Sequence, residues 1–169
     1  MAIITLNNNS LSSVTELPIG ISGQNYPAFQ ACITTNQSIP NTTYTKVQFQ
    51  TEVFDTDNTY DAVTNHRFTP GVAGKYLITA SVGIDTMADT NYSIVTVYKN
   101  GSATGYSDSK GRRSVNHAST ASTLGSLISF IDTANATDYY EVFVFQSSGV
   151  NKNTSVSYYG FFGAYRIGD

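Results

Sequence analysis

Residues 60–101 constrain the fold most, because turns and strand-like segments alternate there over a short distance. Residues 64–68 read as a turn that leads into a strand, and Pro70, Gly71 and Gly74 then interrupt the chain. The next segment alternates strictly, with Tyr76, Ile78, Ala80, Val82 and Ile84 on one side. Residues 92–98 are β-branched or aromatic in large part and precede a Lys-Asn-Gly turn. A period of two with such residues predicts β-strands.

The composition favours the same fold class throughout the chain. The 169 residues include 12 Tyr, 9 Phe and 13 Gly, and no long helical pattern occurs. Aromatic residues favour strands, whereas Gly favours turns. A chain of this length is a normal size for one domain, and regularly spaced short strands are typical of a sandwich or a barrel. We therefore expect an all-β protein.

Eleven residues of this region form an ordered pattern: Tyr60, Asp61, Thr64, Phe68, Thr69, Pro70, Gly74, Tyr76, Lys99, Asn100 and Gly101. This pattern resembles the core signature of the complement C1q and tumour necrosis factor-like jelly roll. The likeness continues upstream at residues 26–29 and 47–54, and downstream at residues 138–142 and 161–167. It implies a C1q/TNF-like jelly-roll β-sandwich over residues 26–169, and such domains form homotrimers.

Two later segments are apolar on both faces. In residues 139–145, Tyr140, Val142 and Val144 share one face, whereas Tyr139, Phe143 and Phe145 share the other. Residues 156–167 behave in the same way, with Val156, Tyr158 and Phe162 opposed to Tyr159, Phe161, Tyr165 and Ile167. One face can pack into the sandwich, and self-association would cover the second. The alternative is that all these side chains pack within one chain.

The resemblance implies that the second face surrounds a three-fold axis. The candidates for that axis, or for the sheet beside it, are Tyr76, Phe143, Phe145, Phe161 and Tyr165. Sequence alone does not assign the faces, because a register error of one residue inverts every side chain of a strand.

Residues 1–25 differ in kind from the rest, since they are polar with widely spaced apolar side chains. We expect an extended anchor or linker that packs on another protein through Ile3, Ile4, Leu6, Leu11, Val14 and Leu17. This opening resembles the start of many bacteriophage virion proteins. It lacks the basic and apolar regions of a signal peptide, so we expect synthesis in a host cytoplasm and residence in the virion.

The low content of charged residues limits the classes of binding partner that we expect. Only 12% of the residues are charged and the net charge is −3, which gives no basis for nucleic-acid binding through phosphate neutralisation. No apolar run has the length of a membrane span, so no membrane insertion is expected. Lys110, Arg112 and Arg113 lie in a Gly/Ser-rich stretch, residues 101–114. They form either a solvated loop tip or a contact for an anionic sugar or lipid headgroup.

Catalytic and metal-binding patterns are sparse. Neither His66 nor His117 belongs to a known catalytic motif, and we expect both at the surface. Cys32, in a predicted strand, is expected to be a buried thiol. Asp55, Asp57 and Asp61 have spacings like those of a calcium loop but lack its Gly and terminal Glu, so a structural turn is favoured. We expect no cofactor, although some C1q-like proteins bind calcium.

These observations favour a non-enzymatic virion structural protein of a bacteriophage. It would be a trimeric knob of a capsid decoration, head fibre or tail fibre, anchored by its N-terminal segment to other virion proteins and able to contact a host glycan or protein. The alternative is a cellular C1q-like module that recognises carbohydrate or protein. An enzyme is the least favoured class.

Overall fold

The computed structural model describes residues 27–103, 111–116, 122–156 and 160–168. Within these residues the chain forms strands in the following order: β1 (Ala28–Cys32), β2 (Ser38–Ile39), β3 (Thr45–Lys46), β4 (Thr51–Asp55), β5 (Tyr60–Asp61), β6 (Arg67–Phe68), β7 (Gly74–Met87), β8 (Tyr92–Lys99), β9 (Ser102–Ala103), β10 (Arg112–Asn116), β11 (Ser122–Ala134), β12 (Tyr140–Gln146), β13 (Lys152–Asn153) and β14 (Phe161–Gly168). No helix in this part of the chain is long and apolar enough to cross a membrane.

Two antiparallel sheets carry the fold. Sheet I has the order β11-β7-β14-β1-β4, and sheet II has the order β10-β8-β12-β6-β5, with β3 beside β12 and β9 beside β8. The short strands β13 and β2 pair with each other and form a separate two-stranded sheet. The all-β sandwich predicted from the sequence is confirmed.

The core lies between the sheets and follows the predicted alternation. In β7 the side chains of Tyr76, Ile78, Ala80, Val82 and Ile84 are buried. In β12, Tyr140, Val142 and Val144 are fully buried, so this face of the two-faced segment points inward as expected.

Aromatic rings fill one end of this core. Phe29 stacks on Tyr60 and Phe68 at centroid distances of 4.8 and 4.7 Å, and meets Phe162 edge-on at 5.0 Å. Such contacts add to the free energy of burial, and replacing a ring of this kind with Ala typically costs about 3–5 kcal/mol of stability. Rings from strands far apart in sequence thus hold the sheets together.

The last strand lies in the middle of sheet I, between β7 and β1. Phe162 is opposite Ala31 on β1 and Ala80 on β7. The prediction of a two-faced strand over residues 156–167 needs correction at its start, because Val156 lies outside a strand and β14 begins at Phe161.

The predicted Lys-Asn-Gly turn connects β8 to β9. Asn100 has φ 53° and Gly101 has φ 77°, values that Asn and Gly tolerate best. Asn100 also bonds to Tyr139, since its backbone N–H donates to the Tyr139 carbonyl at 2.9 Å and its Oδ1 accepts the Tyr139 N–H at 2.9 Å. The turn therefore fixes the residue that precedes β12.

Candidate functional site

The outer face of sheet I, which points away from the core, carries large exposed apolar side chains. Tyr165 on β14 is opposite Leu77 on β7, and Leu77 is opposite Ile131 on β11, so the three form one row across the sheet. Their exposed fractions are 43%, 37% and 51%. We call this surface the apolar face and define it by Phe54, Leu77, Leu127, Ile131, Phe161 and Tyr165.

A groove of about 160 Å³ crosses the apolar face, with Phe54, Leu77, Phe161 and Tyr165 among its walls. It exists because Gly163 has no side chain to fill it. A Cβ on Gly163 would approach the Phe29 carbonyl oxygen to 3.0 Å, so the glycine also allows β1 and β14 to lie close together. The groove can accept an apolar side chain of another molecule.

A second hollow of about 390 Å³ continues along the same strands. It shares Gln30 and Phe161 with the groove and is also lined by Cys32 and Val156. Cys32 is half-buried rather than fully buried. The expectation of a buried thiol is corrected, because the Cys32 side chain points to the outer face while its neighbours Ala31 and Ile33 are buried.

The structure divides the five predicted interface residues among three places. Phe161 and Tyr165 lie on the apolar face. Phe143 and Phe145 lie on the outer face of sheet II, opposite Thr96 and Ile94 on β8.

Tyr76 lies on neither outer face, and the prediction that it contributes to the interface is wrong. Its side chain is fully buried in the core of the single chain, its hydroxyl donates to the Val72 carbonyl at 2.7 Å, and its ring meets Phe68. A ring enclosed in this way is not available to a second chain. The sequence analysis missed Leu77, which has the opposite orientation in β7, although the alternation beside Tyr76 was the signal that could have found it.

The outer face of sheet II is aromatic. The Phe143 ring stacks on Tyr98 at 4.0 Å. The Phe145 ring contacts Tyr44 at 5.1 Å and Tyr92 at 5.7 Å. We call this surface the aromatic face and define it by Tyr44, Tyr92, Tyr98, Tyr139, Phe143 and Phe145.

Basic side chains accompany these rings. The Arg67 guanidinium carbon lies 4.7 Å from the centre of the Tyr139 ring. Lys46 Nζ donates to Glu141 Oε1 at 3.0 Å and to the Asn65 carbonyl at 3.0 Å. One cation of this face is therefore paired with a carboxylate, whereas Arg67 lies over a ring and is opposite Asp61 in the pairing of β5 and β6.

The predicted basic loop is only partly described. Arg112 and Arg113 lie on strand β10 rather than in a loop, which corrects that expectation, because the backbone here pairs with β8. Arg112 is opposite Thr96 and Arg113 is opposite Val95, so the two side chains leave opposite sides of the sheet. Lys110 lies outside the described residues, as do the anchor candidates Ile3, Ile4, Leu6, Leu11, Val14 and Leu17 and the other histidine, His117.

Two of the three clustered aspartates form turns. Asp55 accepts hydrogen bonds from the Thr59 hydroxyl and the Tyr60 N–H, at 3.0 and 2.7 Å. Asp61 accepts backbone N–H bonds from residues 63–65 and an amide bond from Asn65. The N–H of Thr64, aided by the bonds from Asn65 and Val63, lowers the pKa of Asp61 to about 2.

These carboxylates thus accept hydrogen bonds from groups in their own turns, as the favoured turn interpretation predicts. Within the part of the chain that the structure describes, no group of three His, Cys, Asp or Glu side chains could hold a metal ion. Calcium binding stays an untested prediction.

A cluster of charged side chains joins β8, β11 and the start of β12. Lys99 Nζ lies 2.9 Å from Asp132 and 3.2 Å from Asp138. Asp132 also accepts the Tyr140 hydroxyl at 2.7 Å, and Asp138 accepts the Asn100 amide at 2.8 Å. Although burial acts to raise the pKa of both carboxyls, these bonds hold it below the ordinary value.

His66 is buried, which corrects the expected surface position. Its φ of 47° places it in the left-handed turn between β5 and β6, and its Nδ1 has no hydrogen-bond partner in the described part of the chain. Burial and the nearby Lys46 charge lower the pKa of His66, against weaker opposing effects of Asp61 and a bond to the Phe49 carbonyl.

No protein-family description matches the chain, and no curated protein is similar to it in sequence. Solved structures are similar in fold. Murine APRIL superposes with a TM-score of 0.60 at 16% identity, covering 83% of this chain and 98% of that one. The globular domain of zebrafish complement 1qA gives 0.59 at 15%, covering 83% and 96%. Eiger TNF from S. frugiperda gives 0.57 at 11%, covering 86% and 95%. The C1q/TNF-like jelly roll expected from the sequence is therefore confirmed as the fold.

Proposed function

We propose that the chain is a non-enzymatic structural protein of a bacteriophage particle. In this proposal a homotrimeric C1q/TNF-like head projects from the particle, and residues 1–25 attach it to other virion proteins. Capsid decoration, head fibre and tail fibre are all consistent with such a molecule.

The apolar face carries the part of the proposal that concerns self-association. Leu77, Ile131 and Tyr165 are each more than one third exposed, and they lie in one row beside a groove. Soluble monomers rarely leave a continuous apolar surface of this kind in water, since burying it releases about 25 cal/mol per Å². Self-association would bury this surface without a different partner, and the resemblance stated above implies an assembly of three copies.

The virion part of the proposal is supported by the sequence. Only 12% of the residues are charged and the single Cys excludes an intrachain disulfide, which suits a protein made and assembled in a cytoplasm. Residues 1–25 resemble the start of many bacteriophage virion proteins. Deleting residues 1–25 tests the attachment, because the truncated head should stay folded and oligomeric but should no longer co-sediment with particles.

Particles purified on a density gradient give the readout, and peptides of the chain are detected by mass spectrometry. Peptides that remain in the particle fraction after the deletion would refute the anchor. If the full chain is itself absent from all particles, the virion function is wrong. An unfolded truncated chain would refute the division into anchor and head.

The aromatic face favours a second candidate function, a cellular module that binds a ligand. Exposed rings with neighbouring cations suit polar recognition better than they suit a purely architectural surface. Neighbouring genes separate the two functions, since capsid, portal or tail genes favour the virion protein and a secretion operon favours the module.

A further inference from the structure

The turn between β8 and β9 contains two residues that can react with each other. Asn100 and Gly101 form the two-residue loop of this hairpin, and both are exposed. They are also the single Asn-Gly sequence of the chain. Asn-Gly sequences lose the side-chain amide spontaneously in water, because Gly has no Cβ to hinder the approach of its backbone nitrogen to the preceding side chain. The turn therefore has a chemical reactivity besides its structural role.

The reaction needs only the chain and water. The backbone nitrogen of Gly101 attacks Cγ of Asn100, and the new C–N bond closes a succinimide ring. The Cγ–Nδ2 bond breaks, and Nδ2 leaves as ammonia with the proton that the Gly101 N–H gives up. Water then opens the ring at either of its C–N bonds, which yields Asp or isoaspartate in place of Asn100. Both products have a carboxylate where the amide was, and neither step requires an oxidant or a reductant.

In the folded chain, both polar atoms of the Asn100 side chain are held. Its Oδ1 accepts the Tyr139 backbone N–H at 2.9 Å, and its Nδ2 donates to Asp138 Oδ1 at 2.8 Å. The Asn100 backbone N–H also donates to the Tyr139 carbonyl at 2.9 Å. Ring closure requires Cγ to move onto the Gly101 nitrogen, and an amide held in this way cannot make that movement without losing its bonds. The contacts with residues 138 and 139 therefore oppose the reaction.

The products would turn an attractive contact into a repulsive one. The Asn100 amide donates to Asp138, whereas a carboxylate in its place only accepts and would face another carboxylate across the same contact. Lys99 is already shared, since its Nζ lies 2.9 Å from Asp132 and 3.2 Å from Asp138. Isoaspartate would also add a backbone carbon to the two-residue loop. Both products therefore oppose the contact between the turn and the start of β12.

Asp138 is buried and depends on the groups that donate to it. Besides the Asn100 amide, it accepts the Asn135 backbone N–H at 2.8 Å. Although burial acts to raise the pKa of Asp138, the bonds from Asn100, Asn135 and Lys99 hold it below the ordinary value. Loss of one donor leaves a buried charge with fewer partners, which is costly. A change at the exposed turn thus reaches the cluster that joins β8, β11 and β12.

From these contacts we propose that Asn100 is a site of spontaneous deamidation, which its bonds to Tyr139 and Asp138 suppress in the folded protein. Opening of the turn permits the reaction, and the new carboxylate then hinders the turn from closing on Asp138. The modified form therefore accumulates in chains whose turn has been open. The inference depends neither on the particle function nor on self-association, because one chain contains all the groups involved.

The first test compares the rate of deamidation in the folded and in the unfolded full-length chain. Both samples are kept at mildly alkaline pH, one of them in guanidinium chloride. Peptide mass spectrometry follows the exchange of the amide for an acid, and an isoaspartyl methyltransferase labels isoaspartate. We expect the folded chain to react at least about tenfold more slowly, since a hydrogen bond to a charged group must break first. Equal rates at Asn100 would overturn the proposal.

Two matched variants separate the contact from the overall stability. Asp138→Ala removes the acceptor of the Asn100 amide, so the folded variant should deamidate about tenfold faster than the native chain. Asp132→Ala removes the other carboxylate beside Lys99 but no bond of Asn100, so its rate should stay close to the native rate. Equal acceleration in the two variants would assign the effect to general loosening and would overturn the proposal.

A conservative variant covers the case in which Asp138→Ala does not fold, as judged by circular dichroism. Asp138→Asn keeps an oxygen that can accept from Asn100 but lacks the charge, so its rate should lie between those of the native chain and the Ala variant. A folded Asp138→Asn with the rate of the unfolded chain would show that charge rather than the hydrogen bond suppresses the reaction, and it would overturn the proposed suppression.

The effect of the modification is tested on Asn100→Asp, which introduces one product directly. This variant should unfold at a lower denaturant concentration than the native chain at neutral pH, and the difference should become smaller in acid, where carboxylates are protonated. Asn58→Asp is the control, because Asn58 is exposed in another turn and has the same φ of 53°. Native-like stability of Asn100→Asp, or equal losses from both variants, would overturn the proposed effect on the contact with Asp138.

Discussion

Tyr165 and Leu77 lie opposite each other in the antiparallel pairing of β14 and β7, and both side chains point away from the core. This pair places two large apolar side chains at the centre of the exposed surface of sheet I. The apolar face of sheet I and the aromatic face of sheet II are therefore two separate surfaces. The sequence pattern alone does not separate them.

Leu77→Asp should abolish self-association, because a carboxylate would be buried without a partner at the centre of the apolar face. By light scattering we expect a native mass near three times the 18.3 kDa of one chain, and a variant mass near that of one chain. Val63→Asp is the control, since Val63 is 86% exposed and lies outside this face. A native mass of one chain would contradict the proposed assembly.

Phe143→Ala should leave the mass unchanged, because Phe143 lies on the outer face of sheet II and stacks on Tyr98. The sequence analysis placed Phe143 at the same interface as Phe161, so this variant separates the two assignments. Dissociation of folded Phe143→Ala, with native-like circular dichroism, would move the interface to sheet II.

Cys32 should react slowly with iodoacetamide in the assembled protein and severalfold faster in Leu77→Asp. Its half-buried thiol lines the hollow that shares Phe161 with the groove, so a neighbouring copy would cover it. Mass spectrometry of the alkylated chain gives the rates, with the unfolded chain in urea as the upper limit. Equal rates in the two folded proteins would place Cys32 outside the interface.

Acid should destabilise the fold through the cluster around Lys99. The pKa values of Asp132 and Asp138 are lowered in the folded state, so their stabilisation is present above the ordinary carboxyl pKa of about 3.9 and is lost as the pH falls through the lower folded values. Asp132→Asn should lower the free energy of unfolding by about 1–3 kcal/mol at pH 7. It should also reduce the further loss of stability that acid causes below about pH 4. Urea unfolding measures both effects, and Asp57→Asn, at an exposed site, should change neither.

His66 should add a separate dependence at higher pH. Its pKa in the fold is below the ordinary value of 6.5, so the unfolded chain binds more protons, and stability rises with pH between the folded pKa and about 6.5. His66→Asn removes the titration and suits a φ of 47°. Unfolding curves at pH 5 and 7.5 should differ more for the native chain than for this variant, and equal differences would show that His66 is not responsible.

The sequence predicts the strands well and the arrangement of their outer faces poorly. The alternation of Tyr76 and Ile78 and that of Tyr140 and Val142 identify the core sides, because a period of two is a local property. Whether Phe143 and Phe161 share a surface depends on which sheet each strand joins, and that depends on pairing between distant residues. Tyr76 shows the same limit, since its aromatic character suits a core and an interface equally.

The charged cluster around Lys99 could not be predicted from the sequence either. Lys99 and Asp132 are separated by 33 residues, and no local motif connects them. The burial of His66 has a similar origin, because Lys46 and the Phe49 carbonyl come from other segments of the chain. By contrast, the four bonds of Asp61 are all to residues 63–65, close to it in sequence, and the turn interpretation of that residue was correct.

The central position of β14 in sheet I sets the order in which the domain can be completed during synthesis. Until residues 161–168 have left the ribosome, β1 with β4 and β7 with β11 are two separate ladders, each with an open edge where β14 belongs. The nascent chain therefore exposes the unpaired edges of β1 and β7 until residues 161–168 are available, and a chaperone that holds those edges apart would raise the yield of folded protein.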